Sequence, residues 1–124
     1  MIVLAWSTLP PEVPGGRREE RGVRWRRVGV RGPSMSPSLT DGDVVLVHFG
    51  SSPRSGDVVL VRWPQRPEQL SVKRAVRPDG EGWWVEGDNP HGSTDSRTLG
   101  PAATEAVVKL RLWPHPGRIR RPTG

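Results

Sequence analysis

Asp41 Gly42 Asp43 Val44 Val45 Leu46 Val47 His48 Phe49 and Arg54 Ser55 Gly56 Asp57 Val58 Val59 Leu60 Val61 Arg62 Trp63 share the run Gly-Asp-Val-Val-Leu-Val, with starts fourteen positions apart at Gly42 and Gly56. Unbroken β-branched runs suit a pleated, buried surface. Gly50 Ser51 Ser52 Pro53 between them has the composition of a turn. The duplication therefore predicts two strands, paired antiparallel and both well buried. It is too short to be a solenoid repeat.

Upstream, Trp25 Arg26 Arg27 Val28 Gly29 Val30 Arg31 places Val28 and Val30 on one face in strand alternation. That strand delivers the chain to Gly32 Pro33 Ser34 Met35 Ser36 Pro37 Ser38 Leu39. A serine held between a glycine and two prolines has its direction fixed by its neighbours, which is one way to present a nucleophile. The same composition also suits a plain connection between strands. One short helical turn, around Ser36 to Thr40, is the most that the segment allows.

Downstream, Trp63 to Pro67 reads as a loop and Ser71 to Arg77 as a strand. Val72, Arg74 and Val76 fall on one face of it, and Ser71, Lys73, Ala75 and Arg77 on the other. Pro78 Asp79 Gly80 is a turn signal, and Trp83 to Glu86 makes the returning strand of a hairpin. Gly87 to Arg97 is a polar loop, and Ala106 to Trp113 a last strand. The predicted class is mainly β: short antiparallel strands in small packed sheets, with little helix.

Gly (15) and Pro (14) make up about a quarter of the 124 residues, and apolar residues only 33%. One modest domain is expected, with part of the chain outside its core. Residues 1–22 read as a flexible basic leader, 23–113 as the folded domain and 114–124 as a Pro/Arg-rich tail. The net charge of +6 lies at the ends. Residues 1–31 carry +4 and residues 109–124 carry +5, leaving −3 for residues 32–108. A nucleic-acid module would spread its cations across the folded face, so nucleic acid is not the expected partner. The basic ends leave room for peripheral contact with a membrane.

No cysteine is present, which excludes disulfides, a thiol nucleophile and cysteine-ligated metals. His48, His91 and His115 lack metal-ligand spacing, so neither a metal nor a cofactor is expected. No apolar run approaches a membrane span, and a cytoplasmic location is the expectation.

Hydrolytic chemistry needs a nucleophile, a base and a group that orients them. Neither a GxSxG elbow nor an SxxK pair with a KTG partner occurs. The chain has two lysines, Lys73 and Lys109. Lys73 lies 39 positions beyond Ser34 in a valine-bordered strand. Desolvation there would lower its pKa toward that of a working base. Taken alone, Lys73 reads first as an ordinary surface lysine.

Three boxes in order change the reading. Gly32, Ser34 Met35, Pro37 and Leu39 with Gly42 Asp43 resemble the serine box of type I signal peptidases. Lys73 Arg74 resembles their KR box, and Gly87 Asp88 Asn89 with Ser93, Asp95 Ser96 Arg97 and Gly100 their GDN box. The resemblance spans residues 28–101. It implies a serine endopeptidase with a signal-peptidase-like catalytic fold, in which Ser34 is the nucleophile and Lys73 the general base. Ser93 would orient the lysine amine, and Asp95 and Arg97 would brace the site. The backbone N–H of Ser34 would form part of the oxyanion hole. Gly32 stands where some members place a second, side-chain donor, and Met35 belongs to the same box.

The short chain and the GDNPxxSTDSR wording are similar to nickel-type superoxide dismutase maturation proteases. That likeness implies removal of an N-terminal propeptide from a partner protein, the nickel superoxide dismutase precursor. The alternatives are a general signal peptidase and a non-catalytic basic binding module.

Overall fold

The computed structural model describes residues 3–8 and 24–119. Seven strands run through them: β1 (Val3–Thr8), β2 (Arg24–Val30), β3 (Val44–Phe49), β4 (Val58–Trp63), β5 (Arg66–Asp79), β6 (Gly82–Glu86) and β7 (Ala103–Trp113). They form one sheet in the order β1-β2-β3-β7-β4-β5-β6, and every pairing is antiparallel. Helix is confined to a 3-10 turn, Pro90–Gly92, and one turn of α-helix, α1 (Ser96–Leu99). The mainly β class holds. The strands join in one continuous sheet rather than several small ones, and β5 extends to 14 residues because the chain turns at Pro64 and Gln65 and re-enters the sheet at Arg66.

The duplicated runs become β3 and β4, but they do not pair with each other. β7 lies between them: Val47 and Val58 both face Val108, and His48 and Val59 both face Val107. Because β7 is antiparallel to both, β3 and β4 run in the same direction, and parallel neighbours cannot be joined by a tight hairpin. The duplication instead repeats an entry turn. Gly42 and Gly56 have φ of 94° and 96°, values that only glycine adopts readily. Asp43 and Asp57 then each accept the N–H three residues back, from Thr40 at 3.0 Å and Arg54 at 2.9 Å.

The all-apolar run of β4 follows from its place. Val58 and Leu60 enter a main core with Val28, Val45, Val47, Val72 and Val108, while Val59 and Val61 enter a second core with Trp63, Ala75, Val85 and Val107. A strand covered on both faces has no solvent side on which polar residues could alternate. β3 is covered on one face only, so Val45 and Val47 are buried while Leu46 and His48 are half-buried.

The expected leader and tail are partly ordered. Val3–Thr8 pairs with β2, Val3 opposite Val30 and Thr8 opposite Arg26. Gly117 pairs with Arg111, and Ile119 packs on the main core. Residues 1–2 and 9–23, which hold the rest of the leader, and the last five residues, 120–124, lie outside the described residues. No regular helix forms around Ser36 to Thr40, only a single turn closed between Met35 and Leu39. Ser34 to Ser38 is a series of tight turns closed by Ser36 N–H to Pro33 O and Leu39 N–H to Met35 O, both 3.0 Å.

Candidate active site

Lys73 sits mid-strand on β5 opposite Val59, so its side chain projects over the second core. It is fully buried, at 0% exposure. That burial brings its pKa down from 10.5 to about 8; the negative charge of Asp95 opposes the shift and the positive charge of Arg97 adds to it. Roughly a tenth of the lysine is then neutral at pH 7, against about one in three thousand at the ordinary value. The amine has a single hydrogen-bond partner among the described residues, Ser93, with Nζ donating to Oγ at 3.1 Å.

Ser93 passes the connection on, its hydroxyl donating to Asp95 Oδ2 at 2.8 Å. Asp95 is 1% exposed and caps α1, accepting the Arg97 N–H at 3.1 Å. It also takes the Gly87 N–H at 2.8 Å and pairs with the Arg97 guanidinium at 2.6 and 3.0 Å. Burial alone would raise the Asp95 pKa. The hydrogen bonds from Arg97, Gly87 and Ser93 outweigh it and hold the carboxyl well below the usual carboxylate range.

Ser34 is 1% exposed, in the turns that follow β2. No direct hydrogen bond joins its hydroxyl to Lys73. The two residues are brought together through the loop after β6. Asn89 donates its backbone N–H to Ser34 O at 2.8 Å and its side-chain amide to Pro33 O at 3.1 Å. Gly87 is wedged between both halves of the site: a Cβ there would lie 2.6 Å from Ser34 O and would overlap the Ser93 hydroxyl. The carbonyl of Ser34 and the side chain that holds Lys73 therefore flank one Cα atom.

The remaining residues from the boxes have other surroundings. Met35 is buried in the main core, where it anchors the turn that carries Ser34. Gly32 gives its N–H to Asp41 Oδ1 at 2.7 Å. Among the described residues no acceptor takes the Ser34 N–H. Those residues also contain no group of three or more His, Cys, Asp or Glu able to hold a metal, and no helix long and apolar enough to cross a membrane.

A second ion pair went unread in the sequence. Arg74, beside Lys73 but on the opposite face, donates to Asp88 Oδ2 at 2.6 Å, and Ser38 Oγ donates to the same oxygen at 2.6 Å. Arg74 also reaches Gly56 O at 2.9 Å. The pair is largely buried, with side chains 11% and 7% exposed. It ties the serine turn, the lysine strand and the Gly87–Asn89 loop together. Arg111 adds a tie from β7, donating to Ser38 O at 3.1 Å and to His115 O at 2.7 Å. Membership of Arg74 and Asp88 in two of the boxes was the available signal for the first pair; no motif marks Arg111.

Residues 21–106 match the family described as Peptidase S24-like. The chain belongs to that family. Its relatives include mitochondrial ATP-independent inner membrane protease subunit 1a of Arabidopsis thaliana, 35% identical over 115 residues that cover 68% of each chain. Mitochondrial inner membrane protease subunit 1 of Xenopus tropicalis is 32% identical over 111 residues, 67% of this chain and 66% of its own. Subunit 2 of Mus musculus is 32% identical over 121 residues, 74% of this chain and 69% of its own. This chain thus spans about two thirds of the length of these relatives. The S24-like peptidase carries a peptidase-type fold and kinship. That kinship stands at the level of the peptidase family, not of the nickel-type superoxide dismutase maturation proteases.

Proposed function

We propose that this S24-like peptidase is a serine endopeptidase with Ser34 as nucleophile and Lys73 as general base, and that it removes an N-terminal propeptide from a partner protein. The observation that carries the reading is the buried Lys73 amine, with a pKa near 8 and held by Ser93, whose hydroxyl and the Ser34 carbonyl both crowd the one spot a Cβ on Gly87 would fill. A fully buried lysine costs stability, and its retention at such a spot suits a base that must be partly neutral at working pH.

In the proposed reaction the neutral Lys73 amine takes the Ser34 hydroxyl proton as Oγ attacks the scissile carbonyl. The Ser34 N–H faces the developing oxyanion; each such donor in an acyl-transfer site is worth about 3 kcal/mol of barrier. Collapse of the tetrahedral intermediate breaks the C–N bond, and the Lys73 ammonium protonates the leaving amine. The neutral amine then takes a proton from water as the water attacks the acyl ester, and the resulting ammonium gives that proton to Ser34 Oγ as the C–O bond breaks, which restores both residues. Ser93 and the Asp95–Arg97 pair keep the amine in place through both halves.

The wording of the Gly87–Arg97 loop favours the nickel superoxide dismutase precursor as substrate. Purified chain incubated with that precursor is expected to release a new N-terminus, read by mass spectrometry, and Ser34→Ala or Lys73→Ala to abolish it. Wild-type cleavage by either variant overturns the dyad. The inner-membrane names of the relatives favour a second reading, cleavage of signal-type segments on membrane-associated proteins. A signal-peptide-bearing precursor in the same assay separates the two.

A further inference from the structure

Residues 109–124 carry a charge of +5, of which only Arg111 is tied to the serine turn. The fold gives part of that charge a location. Beyond β7 the chain turns back, Arg111 and Gly117 exchange backbone hydrogen bonds at 2.8 and 3.0 Å, and Ile119 packs on the main core. The fold-back helps to enclose a cavity of about 320 Å³ against the Gly56–Asp57 turn, with Arg74, Lys109 and Arg118 in its lining.

Three cations thus face this cavity against one carboxylate, Asp57, which is already occupied in capping its own turn through the Arg54 N–H. Arg74 is paired with Asp88. Lys109 and Arg118 are exposed and form no ion pair among the described residues. Two uncompensated cations, one of them a guanidinium able to bind two oxygens at once, form a receptor for a compact oxyanion.

We propose that this cavity binds a phosphate or carboxylate group through Lys109 and Arg118. The group comes either from free phosphate or from an acidic segment of a protein bound to the peptidase. The site lies apart from Ser34, yet it shares Arg74 with the clamp on Asp88 and Ser38, so an occupant draws on the guanidinium that ties the serine turn to the Gly87–Asn89 loop.

The test titrates the full chain with sodium phosphate, and separately with an acetylated glutamate dipeptide amide, at constant ionic strength set by sodium chloride. Thermal unfolding is the readout, since a ligand that binds only the folded state raises Tm in a saturable way. Saturation by phosphate assigns the site to free phosphate and saturation by the dipeptide to an acidic segment; either supports the proposal. Lys109→Ala and Arg118→Ala are each expected to weaken binding by about tenfold, and the double variant to abolish saturation. Lys109→Arg is expected to retain it. No saturable response to either probe, or an unchanged response in the double variant, overturns the site. Ligand-free peptide cleavage is expected to be unaffected in the double variant, so this site and the Ser34–Lys73 reading fail in separate assays.

Discussion

The Asn89 backbone N–H donates to the Ser34 carbonyl oxygen at 2.8 Å, and the Asn89 side-chain amide donates to the neighbouring Pro33 carbonyl at 3.1 Å. One residue of the loop after β6 thus grips two consecutive peptide groups of the serine turn. Its Oδ1 meanwhile takes the His91 N–H at 3.2 Å, which holds the 3-10 turn in place.

Asn89→Ala keeps the main-chain bond and loses both side-chain bonds. About 1 kcal/mol of stability is expected to go, because the freed groups are exposed and can turn to water. The larger loss is expected in kcat, as the turn bearing Ser34 gains freedom. Steady-state kinetics with a peptide substrate checks the split; a change confined to KM would argue that Asn89 contacts substrate instead.

Activity is expected to rise with pH and to level off above about 8, because the base works only once Lys73 has lost its proton. The kcat/KM profile is expected to climb tenfold per pH unit below that point. A profile already flat at pH 6 would remove Lys73 from the role of base.

The same shift predicts how stability depends on pH. Lys73 titrates near 8 when folded and near 10.5 when unfolded, so between these values the unfolded chain binds more protons and stability rises with pH. Below pH 8 a penalty of about 3 kcal/mol remains in full. Lys73→Met is therefore expected to stabilise the protein at pH 6 and to do so far less at pH 10. Urea unfolding at the two pH values is the measurement.

Arg97 lowers the Lys73 pKa through space while neutralising Asp95. Arg97→Gln is expected to move the activity profile to higher pH, because Lys73 loses a repelling cation and faces a less compensated Asp95. The stability cost is expected to be about 2 kcal/mol, below that of a fully buried pair because the Arg97 side chain is 42% exposed and Asp95 keeps its bonds from Gly87 and Ser93. An unmoved pH profile would make Arg97 purely structural.

Gly87→Ala would place a methyl group against the Ser34 carbonyl and the Ser93 hydroxyl together. One of these neighbours is backbone and cannot swing aside, so a loss of about 1–3 kcal/mol is expected. Proteolysis is expected to fall to the level of Ser34→Ala. Wild-type activity in this variant would mean that Ser34 and Ser93 need not approach one another as they do across Gly87.

Local chemistry was readable where one residue dictates it. The Pro78–Gly80 turn and its returning strand and the burial of both Val-Val-Leu-Val runs follow from residue types at fixed spacing, whereas the Lys73–Ser93–Asp95–Arg97 chain was legible only through the resemblance carried by the three boxes. The pairing partner of each repeat was not readable, because Val-Val-Leu-Val fits any apolar neighbour and the strand that claims both runs arrives some forty positions later. The Arg74–Asp88 pair was hidden for a different reason. Alternation puts Arg74 on the face away from Lys73, and only the third dimension shows that the Gly87–Asn89 loop reaches around to meet both faces of β5.

Among the described residues β7 is the last strand in sequence and the middle strand in space, pairing with both β3 and β4. A growing chain therefore cannot complete the strand pairing between the half of the sheet that leads into Ser34 and the half that holds Lys73 until Ala103–Trp113 has been synthesised. At about 5–20 residues per second, the nascent polypeptide spends several seconds with Ser34 and Lys73 both made and the sheet between them still open. Completion of the sheet thus waits on the last of its described strands.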